Sequence, residues 1–247
     1  DIEMPLIKIL AEMELNGIKI KTEILKKLLV STNKELVKLE GKIYKFAGAS
    51  FNINSPSQLG EILFSKLQIK GRVRRTGGGA MSTAAPELEK LRDEHPIIDL
   101  ILQYRELQKL KTTYIEPFPL LIDKSDGRLH TTYNQTGTGT GRLSSENPNL
   151  QNVPIKTELG QEFRKAFIAE KGYRLISLDY SQIELRIVAH IAKDEKMIEA
   201  FRNGEDIHTR TAAEIFEVAP EKVTKEMRRQ AKVLNFGIIY GMGSVGF

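Results

Sequence analysis

Apolar positions recur at helical spacing through the first half of the chain. Ile7, Leu10, Met13 and Leu15 mark a first helix, and Asn16-Gly17 after them is a favourable stop. Leu25, Leu28, Leu29, Leu36, Leu39 and Ile43 predict a long helix from about Lys21 to Phe46. Gly48 and the stretch from Asn52 to Pro56 interrupt it, and a helix restarts near Ser57. Further helices are expected from about Pro86 to Asp93 and from Pro96 to roughly Lys111. Asp126-Gly127 then signals a turn, and Arg128 to Gln135 reads as a strand opening a hairpin-rich region. Leu175, Ile176 and Leu178 form a short apolar run typical of a buried strand, stopping at Asp179. Ile183, Ile187, Val188 and Ile191 follow on one side of a helix.

Two segments carry no such periodicity. Lys70 to Met81 holds Lys70, Arg72, Arg74 and Arg75, then three consecutive glycines from Gly77. It is either a solvated surface loop or a mobile segment that tracks phosphates, since flexible glycines and point charges suit sequence-independent backbone contact. Gly137 to Asn152 is too rich in Gly, Thr, Ser and Asn to be core. It offers Thr138, Thr140, Arg142, Ser144, Asn149, Gln151 and Asn152. Arg, Asn and Gln can reach the minor-groove acceptors that every base pair presents. The alternative is a long polar surface loop, although loops of this length are more often functional.

Composition narrows the setting. The 247 residues are 40% hydrophobic, enough for a sizeable core in one or two domains. Lys and Arg number 37 against 32 Asp and Glu, a net charge of +5 that fits a polyanionic partner without requiring one. There is no cysteine, which excludes disulfides and thiolate–zinc sites. No long apolar run predicts a membrane span, and the opening DIEMPLIKIL lacks the basic start of a signal peptide. The expected compartment is the cytoplasm.

The chemistry concentrates towards the end. Arg228, Lys232, Phe236 and Tyr240 stand four residues apart, so on a helix each lies only about 40° round from the last. Cations bind polyphosphate and aromatic planes stack on bases, so this face could hold a nucleoside triphosphate lengthwise. The same row could be an ordinary amphipathic helix, with Val233, Phe236, Ile238 and Ile239 in a core. Asp179, at the end of the expected strand, suits Mg²⁺, and Tyr180 could add its backbone carbonyl. Asp179 could equally be a helix N-cap. However, Ser181 to Glu184 reads as an S-x-x-E capping box, which would leave Asp179 to a metal.

Together these segments resemble family A DNA polymerases, the bacterial DNA polymerase I class. DYSQIELRIVAH is similar to that family's motif A, and RRQAKVLNFGIIYG to its motif B on the fingers helix. GTGRLSSENPNLQNVP, from Gly139 to Pro154, resembles its template–primer loop. DIHTRTAAEIF, from Asp206, resembles the fingers segment between the two motifs. SPSQLGEILFSKL and ILQYRELQKLKTTYIEP resemble its thumb.

The resemblance implies an α+β fold: a right-hand polymerase fragment with a helical thumb, a partial antiparallel-sheet palm and partial helical fingers. Residues 1–30 would open the palm with lead-in helices, 31–118 form the thumb, 119–195 the palm with motif A, and 196–247 part of the fingers. It implies template-directed DNA synthesis, transferring deoxynucleotides from dNTPs to a primer 3′-OH by two-metal phosphoryl transfer. Asp179 and Lys232 would be catalytic, and Asp179 and Tyr180 would hold Mg²⁺, with Mn²⁺ as the alternative. Tyr180, Gln182, Glu184, His208, Arg228, Lys232, Phe236 and Tyr240 would bind the nucleotide. Glu184 would lie beneath the sugar and exclude a 2′-OH. His208 would touch the incoming phosphates, although a lone histidine is more often structural. Asn52, Asn54, Ser55, Arg74, Arg75, Ser82, Arg105, Lys109, Arg142, Asn149, Gln151 and Asn152 would contact DNA. Arg105 and Lys109, at i and i+4, could also be plain helix surface.

The implied partners are primer–template DNA and dNTPs, with no membrane; the protein would be a monomer in the bacterial nucleoid. The family's motif C, a His-Asp-Glu hairpin with the second catalytic aspartate, would lie beyond motif B, and the exonuclease-like domain before Asp1. The chain is therefore expected not to extend a primer alone. The alternative is a non-catalytic DNA-binding thumb and palm module.

Overall fold

The computed structural model describes residues 2–155 and 157–241. Backbone contacts divide the chain into two units, Asp1–Leu175 and Ile176–Phe247. In the first, α1 (Glu3–Asn16) stops where Gly17 takes φ of 53°, a conformation that favours glycine. A side chain there would also collide with His130 and with the Leu129 carbonyl. β1 (Ile18–Ile20) leads into α2 (Thr22–Ala47), which buries Leu25, Leu28, Leu36, Leu39 and Ile43 on one stripe. Gly48, at φ 62°, closes α2 by donating its N–H to the Tyr44 carbonyl. Both long helices thus lie close to where apolar spacing and Gly stops put them.

Ser55 caps α3 (Pro56–Gly60), accepting the Gln58 N–H, and α3 runs directly into a π-helical turn, Glu61–Lys66. The helix expected over 86–93 is shorter: α4 (Ala85–Glu89) gives way to turns. α5 (Ile97–Leu110) continues as a second π-helical turn, Lys111–Ile115, and a 3₁₀ turn, Phe118–Leu120. Two cores result. One gathers Ile43, Leu59, Leu63, Leu88, Ile97 and Ile101. The other gathers Leu25, Leu28, Tyr114, Phe118, Leu129 and Phe163. In the second, Phe118 meets Phe163 edge-on with ring centroids 5.3 Å apart, and Tyr114 meets both at 5.6 Å.

The expected strand over 128–135 is divided in two. β2 (Arg128–Leu129) pairs antiparallel with β1, whose other edge takes β5 (Phe167–Ile168), giving the order β2-β1-β5. β3 (Thr132–Asn134) instead pairs with β4 (Ser144–Glu146) in a separate hairpin. The break has a local cause. His130 Nδ1 sits 2.7 Å from the Glu14 carbonyl and Nε2 3.0 Å from Asp126, while buried Thr131 donates to the Pro148 carbonyl at 2.7 Å. These contacts turn the chain from one sheet to the other. β4 also means that the polar stretch 137–152 is not all loop. Lys19 and Arg128, adjacent across β1 and β2, both pair with Glu170 at 3.0 Å. α6 (Glu158–Arg164), capped by Thr157, completes the unit before β5.

The second unit is helical: α7 (Ile183–Ala192), α8 (Glu195–Arg202), α9 (Ile207–Ile215), a 3₁₀ turn Pro220–Lys222 and α10 (Lys225–Ile239). Asp194, Asp206 and Thr224 cap α8, α9 and α10 by accepting the N–H of the third residue on. Leu185, Ala200 and Ile207 form its core, with Met197, Phe201, Phe236 and Ile239 against them.

Three expectations fail here. Leu175, Ile176 and Leu178 form no strand and are exposed, because no described segment pairs with their backbone. α7 buries Leu185 and Ala189 rather than the Ile183, Ile187 and Ile191 side. The capping box does not form: Gln182, at φ 53° and ψ 38°, occupies the N-cap position without a side-chain cap. Ser181 is one residue too early, and its carbonyl accepts from Arg186 Nε at 2.9 Å.

Candidate functional site

Within the second unit, a cleft of about 410 Å³ is lined by Asp179 to Glu184, His208 of α9, and Arg228, Lys232 and Phe236 of α10. α10 carries Arg228, Lys232 and Phe236 of the row to the cleft, and Tyr240 follows as its C-cap residue. Lys232 Nζ lies 6.0 Å from the Phe236 ring centre, and the Phe236 and Tyr240 rings stack at 6.3 Å and 16°. Phe236 combines both expected roles, lining the cleft while packing on the Leu185 cluster. Val233 and Ile238, by contrast, are exposed. Tyr240, at the end of α10, donates its hydroxyl to Glu184 at 2.8 Å. Asp179 and Tyr180 sit on irregular, exposed backbone.

α9 and α10 are joined by polar contacts that sequence reasoning missed. Asn235 Nδ2 lies 3.1 Å from both His208 Nδ1 and Thr211 Oγ1. His208 is only 2% exposed. Burial pushes its imidazole pKa down, Asp206 opposes this, and Arg228 and Lys232 reinforce it, so the ring is held neutral. Asp206 accepts the Thr209 N–H and pairs with Arg228 through Nε–Oδ1 at 3.2 Å and Nη2–Oδ2 at 2.7 Å. Burial raises the Asp206 pKa, but the Arg228 and Thr209 hydrogen bonds outweigh it and hold the carboxyl at about 2. Asp206 as an N-cap was legible, since Asp just before a helix is a favoured cap, but its pairing with Arg228 was not.

The residues expected to contact DNA all fall in the first unit, and only some of them share a site. Lys109, Asn149 and Asn152 line a groove of about 1010 Å³ together with Tyr114 and Thr157. Tyr114 donates its hydroxyl to the Asn152 carbonyl at 2.5 Å, and Asn149 Oδ1 accepts the N–H groups of Gln151 and Asn152. Asn149 therefore shapes the loop as well as facing the groove. Arg105 does not stand beside Lys109 as a second solvated cation. It is half-buried, its guanidinium donates to the Thr83 carbonyl, and burial lowers its pKa. Asn52, Asn54 and Ser55 form the turn that starts α3, where Asn52 Oδ1 accepts from Asn54 N–H and Ser55 caps. Arg75 donates to the Gly79 carbonyl at 2.6 Å, and Ser82 accepts from Ala84 N–H. The Arg74 backbone N–H donates to Glu87, while its side chain is exposed, as are those of Arg142 and Gln151.

The sequence pattern of DNA polymerase family A matches residues 22–247. The chain belongs to that family. It is 51% identical over 246 residues to "DNA polymerase I, thermostable" of Thermus filiformis, covering 99% of this chain and 29% of that protein. It is 51% identical over 247 residues to DNA polymerase I of Bacillus subtilis (strain 168), covering all of this chain and 28% of that one. The chain thus spans under a third of the curated relatives it matches. Among solved structures it resembles the POL domain of Pol1 from M. smegmatis in complex with DNA primer-template and dNTP, with a TM-score of 0.91 and 39% identity. That likeness covers 99% of this chain and 43% of the other. The fold is accordingly α+β, part of a polymerase domain in which helices dominate and the sheets are small and antiparallel.

Against this family background, one cleft brings together the Asp179–Glu184 segment, His208, the cations Arg228 and Lys232, and the Phe236 ring, on which Tyr240 stacks. Among the described residues no three of His, Cys, Asp or Glu converge on one point; the cleft is lined by two carboxylates, Asp179 beside Tyr180, and Glu184, which already accepts the Tyr240 hydroxyl. Such a donor set fits an ion that keeps most of its waters, which Mg²⁺ does. No described helix is long and apolar enough to cross a membrane.

Proposed function

We propose that this chain is the thumb, part of the palm and part of the fingers of a DNA polymerase that adds deoxynucleotides from dNTPs to a primer 3′-OH under template direction. The observation that carries this reading is the cleft whose lining runs from Asp179 through Arg228 and Lys232 to Phe236. The domain limits are those the resemblance implies, although α2 runs unbroken through residues 30 and 31. Arg228 and Lys232 neutralise the triphosphate, with His208 beside them. Phe236 and Tyr240 flank base and sugar, and Glu184, tied to Tyr240, crowds the 2′ position. Gln182 lines the cleft near the phosphates. The primer 3′-OH gives its proton to solvent water as its oxygen bonds to the α-phosphorus and the bond to pyrophosphate breaks, and Lys232 gives a proton to the leaving group. Asp179 and the Tyr180 carbonyl would hold Mg²⁺, or Mn²⁺, which supplies charge neutralisation at the reacting phosphate. The second catalytic aspartate comes from outside these 247 residues. Lys109, Asn149 and Asn152 in the groove, with Arg74, Arg75 and Arg142 at exposed positions, meet primer–template DNA. The neighbour described with primer-template and dNTP supports both partners. The polymerase acts as a monomer at the bacterial nucleoid.

The test is primer extension. In the full-length polymerase carrying this segment, Asp179→Ala should cut kcat by about a thousandfold or more. Glu184→Ala should raise the ribonucleotide-to-deoxynucleotide ratio of kcat/KM. The 247-residue chain alone should bind primer–template and extend it only at background. Extension by the chain alone that vanishes with Asp179→Ala would mean a second carboxylate lies within it. DNA binding with no response to any cleft substitution in the full-length protein would favour the non-catalytic module.

A further inference from the structure

We propose that Asp206 is the positioning residue for Arg228: from behind the cleft it fixes one edge of the guanidinium so that the other edge is presented to the nucleotide triphosphate. The proposal rests on the nucleotide reading of the cleft. A guanidinium has two edges that can form paired hydrogen bonds. Asp206 takes the edge made by Nε and Nη2, leaving Nη1 outside the pair. The two partners also face different spaces. Arg228 lines the 410 Å³ cleft, whereas Asp206 does not. Asp206 instead lines a separate hollow of about 510 Å³ with Thr209 and Arg210. The carboxylate therefore backs the cation without competing for the ligand's place.

Asp206 is itself held. The Thr209 N–H donates to its Oδ1 at 2.8 Å, and Gln182 Nε2 reaches its Oδ2 at 3.4 Å. An unpaired arginine side chain would sample many rotamers, and ordering it would count against nucleotide binding. Here the ordering is present before the ligand arrives. The arrangement fixes the aim of Arg228 through the first turn of α9, so a single residue couples the start of that helix to the phosphate contact on α10.

Asparagine separates this role from capping, because it caps helices as well as aspartate but loses the charged fork. In the full-length polymerase with primer–template DNA, Asp206→Asn should raise the dNTP KM about tenfold, with the loss falling on KM rather than kcat. In an Arg228→Ala background the same substitution should add no further increase, as a double-mutant cycle reads out. Thermal midpoints of both variants should track the parent. If Asp206→Asn lowers the thermal midpoint sharply, Asp206→Ser, which also caps, replaces it in the same cycle. An unchanged or lowered KM in Asp206→Asn, or an equal rise in the Arg228→Ala background, would overturn the proposal. If Arg228→Ala itself left KM unchanged, the nucleotide reading of the cleft would fail instead.

Discussion

Leu25 and Leu178 carry the same side chain, yet Leu25 is 1% exposed and Leu178 91%. Leu25 belongs to a helix whose hydrogen bonds are internal, so its stripe needs only another apolar surface to cover it. That surface is supplied within the first unit by Tyr114, Phe118 and Phe163. Leu178 lies in a run suited to a strand, and a strand needs a neighbour to take its N–H and C=O groups before its side chains can be buried. Among the described residues no strand pairs with it. The first unit is therefore built around self-sufficient cores, whereas the second keeps a small core and exposes the apolar approach to its cleft.

The contrast can be broken most forcefully at the cores. Phe163→Ala, in the edge-on aromatic cluster, should cost about 3–5 kcal/mol, because a rigid cavity cannot close. Leu185→Ala in the small core of the second unit should cost about 2 kcal/mol, the low end for such a change. Urea unfolding of the whole chain, followed by probes in each unit, measures both; equal losses would remove the difference in core closure.

Next in size is the response to salt. Binding of the chain to primer–template should fall about tenfold or more between 50 and 200 mM salt, without sequence preference. Lys109→Ala and Arg74→Ala should each reduce the salt slope by about one, whereas Lys232→Ala in the second unit should leave it intact. A slope that responds to Lys232 but not to Lys109 would reverse the assignment of the two units.

A smaller effect is expected at Thr32, whose buried Oγ1 has no hydrogen-bond partner among the described residues. Thr32→Val removes that unsatisfied group from α2 and should stabilise the first unit by about 1 kcal/mol. The urea midpoint tests this, and a lower midpoint would show that the hydroxyl is satisfied in solution.

The finest test uses His130 and His208, which respond to acid with opposite sign. The Glu14 carbonyl, with Asp126, raises the His130 pKa against a smaller effect of burial. Its contribution is thus full below the ordinary value and lost as pH rises through the raised one. Burial lowers the His208 pKa, so its contribution is present above about 6.5 and lost as pH falls towards the lowered value. Asp206, held at about 2, acts in the same direction as His208 at lower pH. Between pH 7.5 and 5.5, hydrogen exchange should slow around His130 and quicken at the α9–α10 contact. Parallel changes would show that the two environments do not differ as described.

What could be read from the chain divides along the same line. The ends of α1 and α2 were legible because Gly17 and Gly48 mark positive-φ stops and the leucine spacing is local information. The α10 row was legible for the same reason: Arg228, Lys232 and Phe236 need nothing but the helix to reach the same cleft. The fate of Leu175 to Leu178 was not, since a strand depends on a distant partner. The division of 128–135 between two sheets was hidden because it is driven by Glu14 and Pro148, far away in sequence. Arg105 looked like a surface cation, and only the fold brings the Thr83 carbonyl to it. Asp206 and Asn235 were missed because their meaning lies in the α9–α10 packing rather than in either helix alone.

Helix α2 has a mechanical consequence. Its 26 residues make a rod about 39 Å long at about 1.5 Å per residue. Leu25 and Leu28 are clamped in one core and Ile43 and Ala47 in the other. A rod gripped at both ends holds the two cores at a fixed separation, about 27 Å between Leu25 and Ile43 at the same rise per residue.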